Sequence, residues 1–571
     1  MAEPILRLGI LCNGTRFQRW QAECLRQVLA VPGVQLVVIV ENDAATQERP
    51  SFMRRIWRYP WRTALYRFYR HRWSRPAAMV EEDLSGLLAG TPRLSCRTER
   101  KGIGEHFVPA DLAAIAAYKP DVLLRFGFNI LHGAILELPR FGVWSYHHGD
   151  EEHYRGGPPG LWEIMDDEPV IGSILQRLTD RLDAGRVLYK GWFNVVDHSL
   201  KETVDRVLLH SAGWAAQVCR RILGGDAAAA EGVPSHTKAP VLKYPTNTAF
   251  LAFLRKQFNN KARFHRRELK QHEEWNVGIL YQPIQALLQE KPNLNARWLP
   301  PPSRGQYRAD PFGYFVGDQL NVLYEKYDYT DGRGILSRLR PKRDNVLKRS
   351  RTMLDEGGHL SYPFIVERDG VVHVVPEQVS TGRVDLYRVD AVNEGLERVT
   401  TLLHEALFDP TLVEHEGRWW MFGTKAPLSN VELFVYHSDR FEGPYQPHKL
   451  NPVKVDVRSA RPAGTPFRHE GGLYRPAQDS SRTYGGRVAI NRIITLTPDA
   501  FAEETVRFIG PLKGSSWSKG MHTVSAVGDI TLIDGKRYVT DRAQERRVRQ
   551  RKMGRLVGRP ETEIEDDEEE D

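Results

Sequence analysis

Cysteine is scarce in this chain: four residues in 571, Cys12, Cys24, Cys96 and Cys219, all in the first half and without a CxxC pair. That excludes a disulfide framework and fits reduced thiols in a cytoplasmic protein. No apolar run is long enough to cross a bilayer, and the opening MAEPILRLGILCNG is interrupted too soon for a secretory leader, so a cytoplasmic location is expected. No GxGxxG follows the first apolar run, which argues against a nicotinamide cofactor. A nucleic-acid module is missing too. The 80 Lys and Arg against 72 Asp and Glu leave a net charge of +8, but the excess sits in two patches, residues 51–76 and 542–559, so no nucleic-acid partner is expected.

What is present is enough for packed cores: 41% hydrophobic and 10% aromatic residues. The length is too great for one core, so two domains with linkers are expected. Residues 5–12 form a short apolar run, followed by helical spacing at Phe17, Trp20, Cys24, Leu25, Val28 and Leu29, then the β-branched run VQLVVIVEN. Strand, helix, strand opens a parallel α/β sheet. Residues 51–76 interleave Arg with Trp, Tyr and Phe. They admit an insertion helix broken at Pro60, a surface making peripheral contact with anionic lipid, or a phosphate site.

A helix near 109–118 and the strand DVLLRFGF come next, then a helix near 130–138 and the strand GVWSYHH. The last delivers its polar residues at its carboxyl end, where open α/β sheets bind ligands. Ser199 to Glu202 is a capping box opening one long amphipathic helix that stops at Gly224-Gly225. Residues 226–274 read as a linker.

Beyond the linker a repeat appears, with a period of roughly 50 residues, the size of a propeller blade. Its copies are ADPFGYFVGDQLNVLYE, SYPFIVERDGVVHVVPE, FDPTLVEHEGRWWMFGT, GTPFRHEGGLYRPAQ and, more weakly, MHTVSAVGDITLIDGKRYV. They place Asp310, Tyr362, Asp409, Thr465 and His522 at one equivalent position, and Glu325 with Glu377 at another. The expectation is an all-β five-bladed propeller over 275–541. The tail, 542–571, is basic and then acidic with almost nothing apolar, which reads as disordered.

The loop SYHHGDEEHYRGGPPG, Ser145 to Gly160, followed by Leu182-Asp183-Ala184-Gly185, resembles the formyltransferases that use 10-formyltetrahydrofolate. The family pattern is Asn-x-His, a loop ending in Tyr-Arg-Gly-x-x-Pro, then Leu-Asp-x-Gly. The likeness covers about residues 5–225 and implies a Rossmann-like α/β domain over 1–225. It implies that His147 stabilises the developing oxyanion, that Asp183 sets its protonation and helps move a proton, and that the folate lies against Arg125 to Pro139. The family's Asn is Ser145 here. A hydroxyl donates only one hydrogen bond, so either Ser145 serves in its place or His148 takes over part of the role. His148, Asp150 and Arg155 are loop candidates for contact with the amine acceptor. A metal shared by the loop histidines is not expected, since adjacent histidines rarely face one ion.

The repeats resemble the propeller at the N-terminus of plant glucosamine inositolphosphorylceramide transferase and, more distantly, five-bladed glycoside hydrolases. That likeness makes Asp310, Asp409 and Glu377 candidates for base, tuning acid and proton donor; an Asp before Pro is also a common turn-former. Two functions follow. One is an enzyme moving a formyl group to an amino sugar or sugar nucleotide. The other is a glycan-binding or glycan-processing protein whose front domain is inactive.

Overall fold

The computed structural model describes residues 4–43, 61–101, 104–180, 185–235, 237–341, 350–390 and 394–540. The chain divides into two compact units, residues 1–262 and 263–571.

The first unit is built on an eight-stranded sheet: β1 (Leu6–Cys12), β2 (Val34–Asn42), β3 (Arg93–Cys96), β4 (Val122–Arg125), β5 (Val143–His147), β6 (Val170–Arg177), β7 (Arg186–Asn194) and β8 (Val233–Pro234). Their order is β8-β7-β6-β5-β4-β1-β2-β3. The five strands from β3 to β5 run parallel, and β6 to β8 extend the sheet antiparallel. The parallel strands are apolar runs because helices cover both faces. Gly9 in β1 is required by that packing: a Cβ there would sit 2.5 Å from Leu123 Cδ2. Helix α1 (Arg19–Leu29) buries Trp20, Cys24, Leu25 and Val28, as its spacing predicts. All four cysteines are free and buried.

Three elements differ from the sequence reading. Residues 130–138 form a two-residue strand, Ile130–Leu131, and a 3-10 turn, Ala134–Leu136, in place of a helix. Gly133 between them takes φ 77°, and its N–H donates to the Asp180 carboxylate at 2.9 Å. The long helix expected after Ser199 is two, Leu200–Ser211 and Trp214–Leu223. The Tyr146 hydroxyl enters the junction, donating to Ala212 C=O at 3.0 Å and accepting from Ala215 N–H at 3.1 Å. Those are the two backbone groups that a break orphans. Finally, residues 226–274 are no linker. Val233–Pro234 joins the main sheet, Val241–Leu242 pairs with Arg155–Gly156, and a helix covers Asn247–Arg266. Of the Arg and aromatic stretch, Ala64–Arg72 is helical, and residues 51–60 lie outside the described residues.

The second unit is all-β, with five antiparallel sheets of four or five strands among the described residues. Its first strand, His272–Leu280, pairs with its last, Ile530–Val539, so the two ends of the unit share one sheet. Asp310, Tyr362 and Asp409 each precede a proline and each take positive φ, 49°, 43° and 49°. A register shift falls at each of the three positions. The proline disfavours the right-handed region for the residue before it, and the bulge turns that side chain out of the strand's alternation. The expected equivalence of these three positions is therefore a matter of backbone geometry. The charged tail, 542–571, lies outside the described residues.

Candidate functional site

A cavity of about 320 Å³ opens at the carboxyl ends of β4 and β5, beside the point where the strand order reverses between β1 and β4. That is where open α/β sheets take ligands. Ile130, Leu131, Ile174, Leu178 and Val241 give it an apolar wall; Arg125, Ser145, His147, Glu151 and Arg155 give it polar groups.

His147 ends β5. Its Nε2 lies 3.1 Å from the Tyr154 carbonyl. A carbonyl only accepts, so Nε2 carries the proton and Nδ1 is left as a base when the ring is neutral. The ring is kept neutral: burial lowers its pKa, opposed by the Tyr154 carbonyl and by Glu151 and Asp150. Gly149 keeps the loop close, since a Cβ there would meet Tyr154 O at 2.7 Å.

Ser145 is buried, and its Oγ accepts from Arg125 Nε at 3.2 Å and Nη2 at 3.0 Å. Arg125 Nη1 donates to the carbonyls of Phe128 and Asn129 at 3.2 and 2.7 Å. The guanidinium is thus aimed by four hydrogen bonds beside β5. Burial lowers its pKa, with Glu105 opposing, but an arginine remains charged at neutral pH. Sequence reasoning placed Arg125 in the folate segment and missed it as a partner of Ser145. The signal was an arginine at the carboxyl end of a strand neighbouring the serine that departs from the family pattern.

The remaining loop candidates separate. Arg155 lines the cavity and donates through Nη1 to Ala239 C=O at 2.8 Å. His148 does not line it. Its ring is stacked on Tyr146 and meets Trp20 edge-on at 4.9 Å, its Nδ1 lies 3.1 Å from Ser173 Oγ, and burial takes its pKa down to about 3. It cannot take over the role of the family's Asn. Asp150 also faces away from the cavity, tied to Lys190 Nζ and Trp192 Nε1, each at 3.1 Å. Burial raises its pKa, but Lys190 and Trp192 outweigh that and lower it. The neighbour that does line the cavity is Glu151, which sequence reasoning passed over. Its Oε1 accepts from Lys190 at 3.1 Å, and its buried Oε2 has no hydrogen-bond partner among the described residues. Asp183 lies outside the described residues; Thr179 and Gly185, on either side of it in sequence, both line the cavity.

In the second unit Asp310, Glu377 and Asp409 are all buried. Asp310 accepts from Thr523 Oγ1 at 2.6 Å and lies 3.7 Å from His522 Nε2. His522 in turn faces Asp534 at 2.5 Å and stacks on Trp275. Asp409 and Glu377 share Arg461, at 2.6 and 3.5 Å, and Glu377 accepts from Asp409 N–H at 2.9 Å. Glu325 is buried with only the Tyr307 hydroxyl at 3.4 Å and His359 Nε2 at 3.7 Å. Burial, then Asp310 and Glu377, push its carboxyl well above the usual range, which favours its protonated form. Glu325 was visible in the sequence as the equivalent of Glu377; Arg461 and Asp534 were not.

The N-terminal region is related to formyltransferases. The methionyl-tRNA formyltransferase of Chlorobium chlorochromatii (strain CaD3) is 31% identical over 117 residues, 20% of this chain and 37% of that protein. The bifunctional polymyxin resistance protein ArnA of Wigglesworthia glossinidia brevipalpis is 25% identical over 99 residues, 17% of this chain and 15% of that protein. Residues 301–526 match the family model for the N-terminal region of glucosamine inositolphosphorylceramide transferase 1. The Arabidopsis thaliana protein of that name is 33% identical over 254 residues, 41% of this chain and 33% of that protein. The chain therefore spans about a third of the length of that relative and joins two regions with separate kin.

Proposed function

We propose that the first unit transfers a formyl group from 10-formyltetrahydrofolate to the amino group of an amino sugar or sugar nucleotide. The observation that carries this reading is the neutral His147 beside half-buried Arg125 and buried Ser145 in one cavity. The cavity fits a folate head: an apolar wall to receive a flat ring, bordered by the polar groups of Arg125, Asn129 and His132. The folate supplies an activated formyl group; the protein must place an amine against it, meet negative charge on the formyl oxygen and remove a proton.

Each task has a residue. The Arg125 guanidinium, oriented by Ser145 and two carbonyls, stands where it meets developing oxyanion charge. This offsets the loss of the family's Asn with a stronger, charged donor. His147 Nδ1 takes the proton the amine must lose, and its depressed pKa keeps it able to do so at neutral pH. Glu151 Oε2 receives an N–H or O–H of the acceptor. Asp183 joins them by its match to the family pattern, setting the protonation of His147.

The second reading belongs to the second unit. Its five sheets and the pairing of its first and last strands support reading it as a five-bladed propeller. Its buried centre collects Asp310, Glu325, Glu377 and Asp409, a carboxylate set suited to glycan recognition or processing. In a fused protein this unit selects the carbohydrate on which the first unit acts.

The test is mass spectrometry of a panel of amino-sugar nucleotides incubated with 10-formyltetrahydrofolate and the full chain. The expected result is a gain of one formyl group on at least one sugar, lowered about 10²–10³-fold by Arg125→Met. No gain on any sugar, with the folate left intact, overturns the reading and leaves the second unit as the functional half.

A further inference from the structure

The helices Ala64–Arg72 and Asn247–Arg266 lie against one another in the first unit. Tyr66 and Tyr69 pack on Phe250, at ring-centre distances of 5.5 and 5.2 Å. The Asn247 side chain accepts from Leu65 N–H at 3.1 Å and donates to Trp61 C=O at 2.8 Å. One face of each helix is used in this contact.

Their other faces carry large apolar side chains into solvent. Trp61 is 62% exposed, Phe68 57% and Trp73 64%; on the second helix Leu251 is 55% and Phe258 72% exposed. Phe68 and Trp73 meet edge-on at 5.2 Å, so they form one apolar tip. Grouped exposure of this kind is unusual on a soluble surface and marks a place of contact. The helices' own charge has one sign, with Lys256 paired to Asp167 and Arg263 to Glu268. Residues 61–76 hold five arginines and no acidic residue, and Asn247–Arg266 holds five Arg and Lys and no acidic residue.

We propose that this paired-helix face is a docking surface for an anionic phospholipid membrane, on which the protein rests without crossing it. Trp and Phe side chains settle at the boundary of headgroup and acyl chain, and arginines pair with lipid phosphates. The apolar and basic groups are on the same two helices and the residues flanking the first, as that partner requires. A second copy of this chain would bring like charge against like. So would residues 51–60 of the same chain, which add three arginines and no acid. A nucleic acid would satisfy the arginines but would leave Leu251 with nothing to bury it. No helix among the described residues is long and apolar enough to cross a membrane, so the contact is peripheral.

The experiment is co-sedimentation of the full chain with phosphatidylcholine vesicles and with vesicles that also contain phosphatidylglycerol. At least about tenfold more protein should pellet with the anionic vesicles, and rising salt should reverse this. Phe68→Ser with Trp73→Ser should lower binding to anionic vesicles about tenfold or more, and Arg67→Gln with Arg72→Gln should lower both the binding and its salt dependence. These side chains are exposed, so the variants should fold as the parent does, checked by circular dichroism. None belongs to the formyl-transfer cavity, so transfer to a soluble acceptor should be unchanged. Three results would overturn the proposal: equal or no binding to the two vesicle types, unaltered binding of the Phe68 and Trp73 variant, or a concentration-dependent dimer that this variant abolishes.

Discussion

Beside the cavity of the first unit and in the core behind it burial holds histidines neutral, whereas in the second unit burial raises the pKa of a carboxyl group. His147 and His148 are both depressed by burial. Glu325 is raised by burial and by its acidic neighbours. The same physical cause, loss of water around a charge, acts with opposite sign on a base and on an acid. It follows that these groups respond oppositely to pH. A histidine depressed in the folded state is charged first in the unfolded chain, so its unit loses stability as pH falls below the unfolded value. A carboxyl raised in the folded state is ionised first in the unfolded chain, so its unit loses stability as pH rises above that value.

The comparison also separates chemistry from architecture. The histidine site borders a cavity that a small molecule can enter, and Arg125 is aimed there by Ser145 and two backbone carbonyls. At the centre of the second unit, Asp409 is held by Arg461, by Gln478 Nε2 at 2.7 Å and, through its own N–H, by Glu377. Breaking such a network costs stability before it costs anything else.

The largest effect that would sharpen this contrast is on activity. His147→Ala should lower formyl transfer by about 10²–10⁴-fold, read by product mass, with the melting of the second unit unchanged. Next, Arg461→Leu should destabilise the second unit by about 3–5 kcal/mol, because it leaves the carboxylates of Asp409 and Glu377 buried without their shared cation. Formyl transfer to a soluble acceptor should survive it at temperatures where the first unit is folded. Loss of both functions together would show that the units are not separable.

A smaller effect is expected at His148. Its pKa falls from 6.5 to about 3, so its contribution to stability is complete above pH 6.5 and declines as pH falls toward 3. At pH 5.5, one unit below the unfolded value, the decline is about 1.4 kcal/mol. His148→Phe should remove that part of the pH dependence, measured by denaturant unfolding at pH 5.5 and 8. The smallest effect is in the opposite direction. Glu325→Gln should raise the melting temperature of the second unit at pH 8, by about 2–4 °C for each kcal/mol gained, and change it little at pH 4. An unchanged melting temperature at pH 8 would mean that Glu325 is solvated, and the contrast between the units would fail there.

The sequence by itself determined the larger features. The short, largely apolar runs at Leu6–Cys12, Val34–Asn42 and Val143–His147 read as strands because parallel strands covered on both faces carry apolar residues on both. The recurring residue before proline put Asp310, Tyr362 and Asp409 at one backbone position, and proline sterics are local. The loop from Ser145 to Gly160 pointed to His147 because a family pattern is a matter of residue order. Tertiary structure alone decided the rest. That Arg125 reaches Ser145, that His148 turns into the core while Glu151 faces the cavity, and that Glu325 rather than Glu377 escapes Arg461 depend on which strands become neighbours. So does the break at Gly213, where a hydroxyl from Tyr146, distant in sequence, takes the helix's backbone groups. Burial and hydrogen bonding act between residues far apart in the chain, and sequence periodicity reports only on residues close together in it.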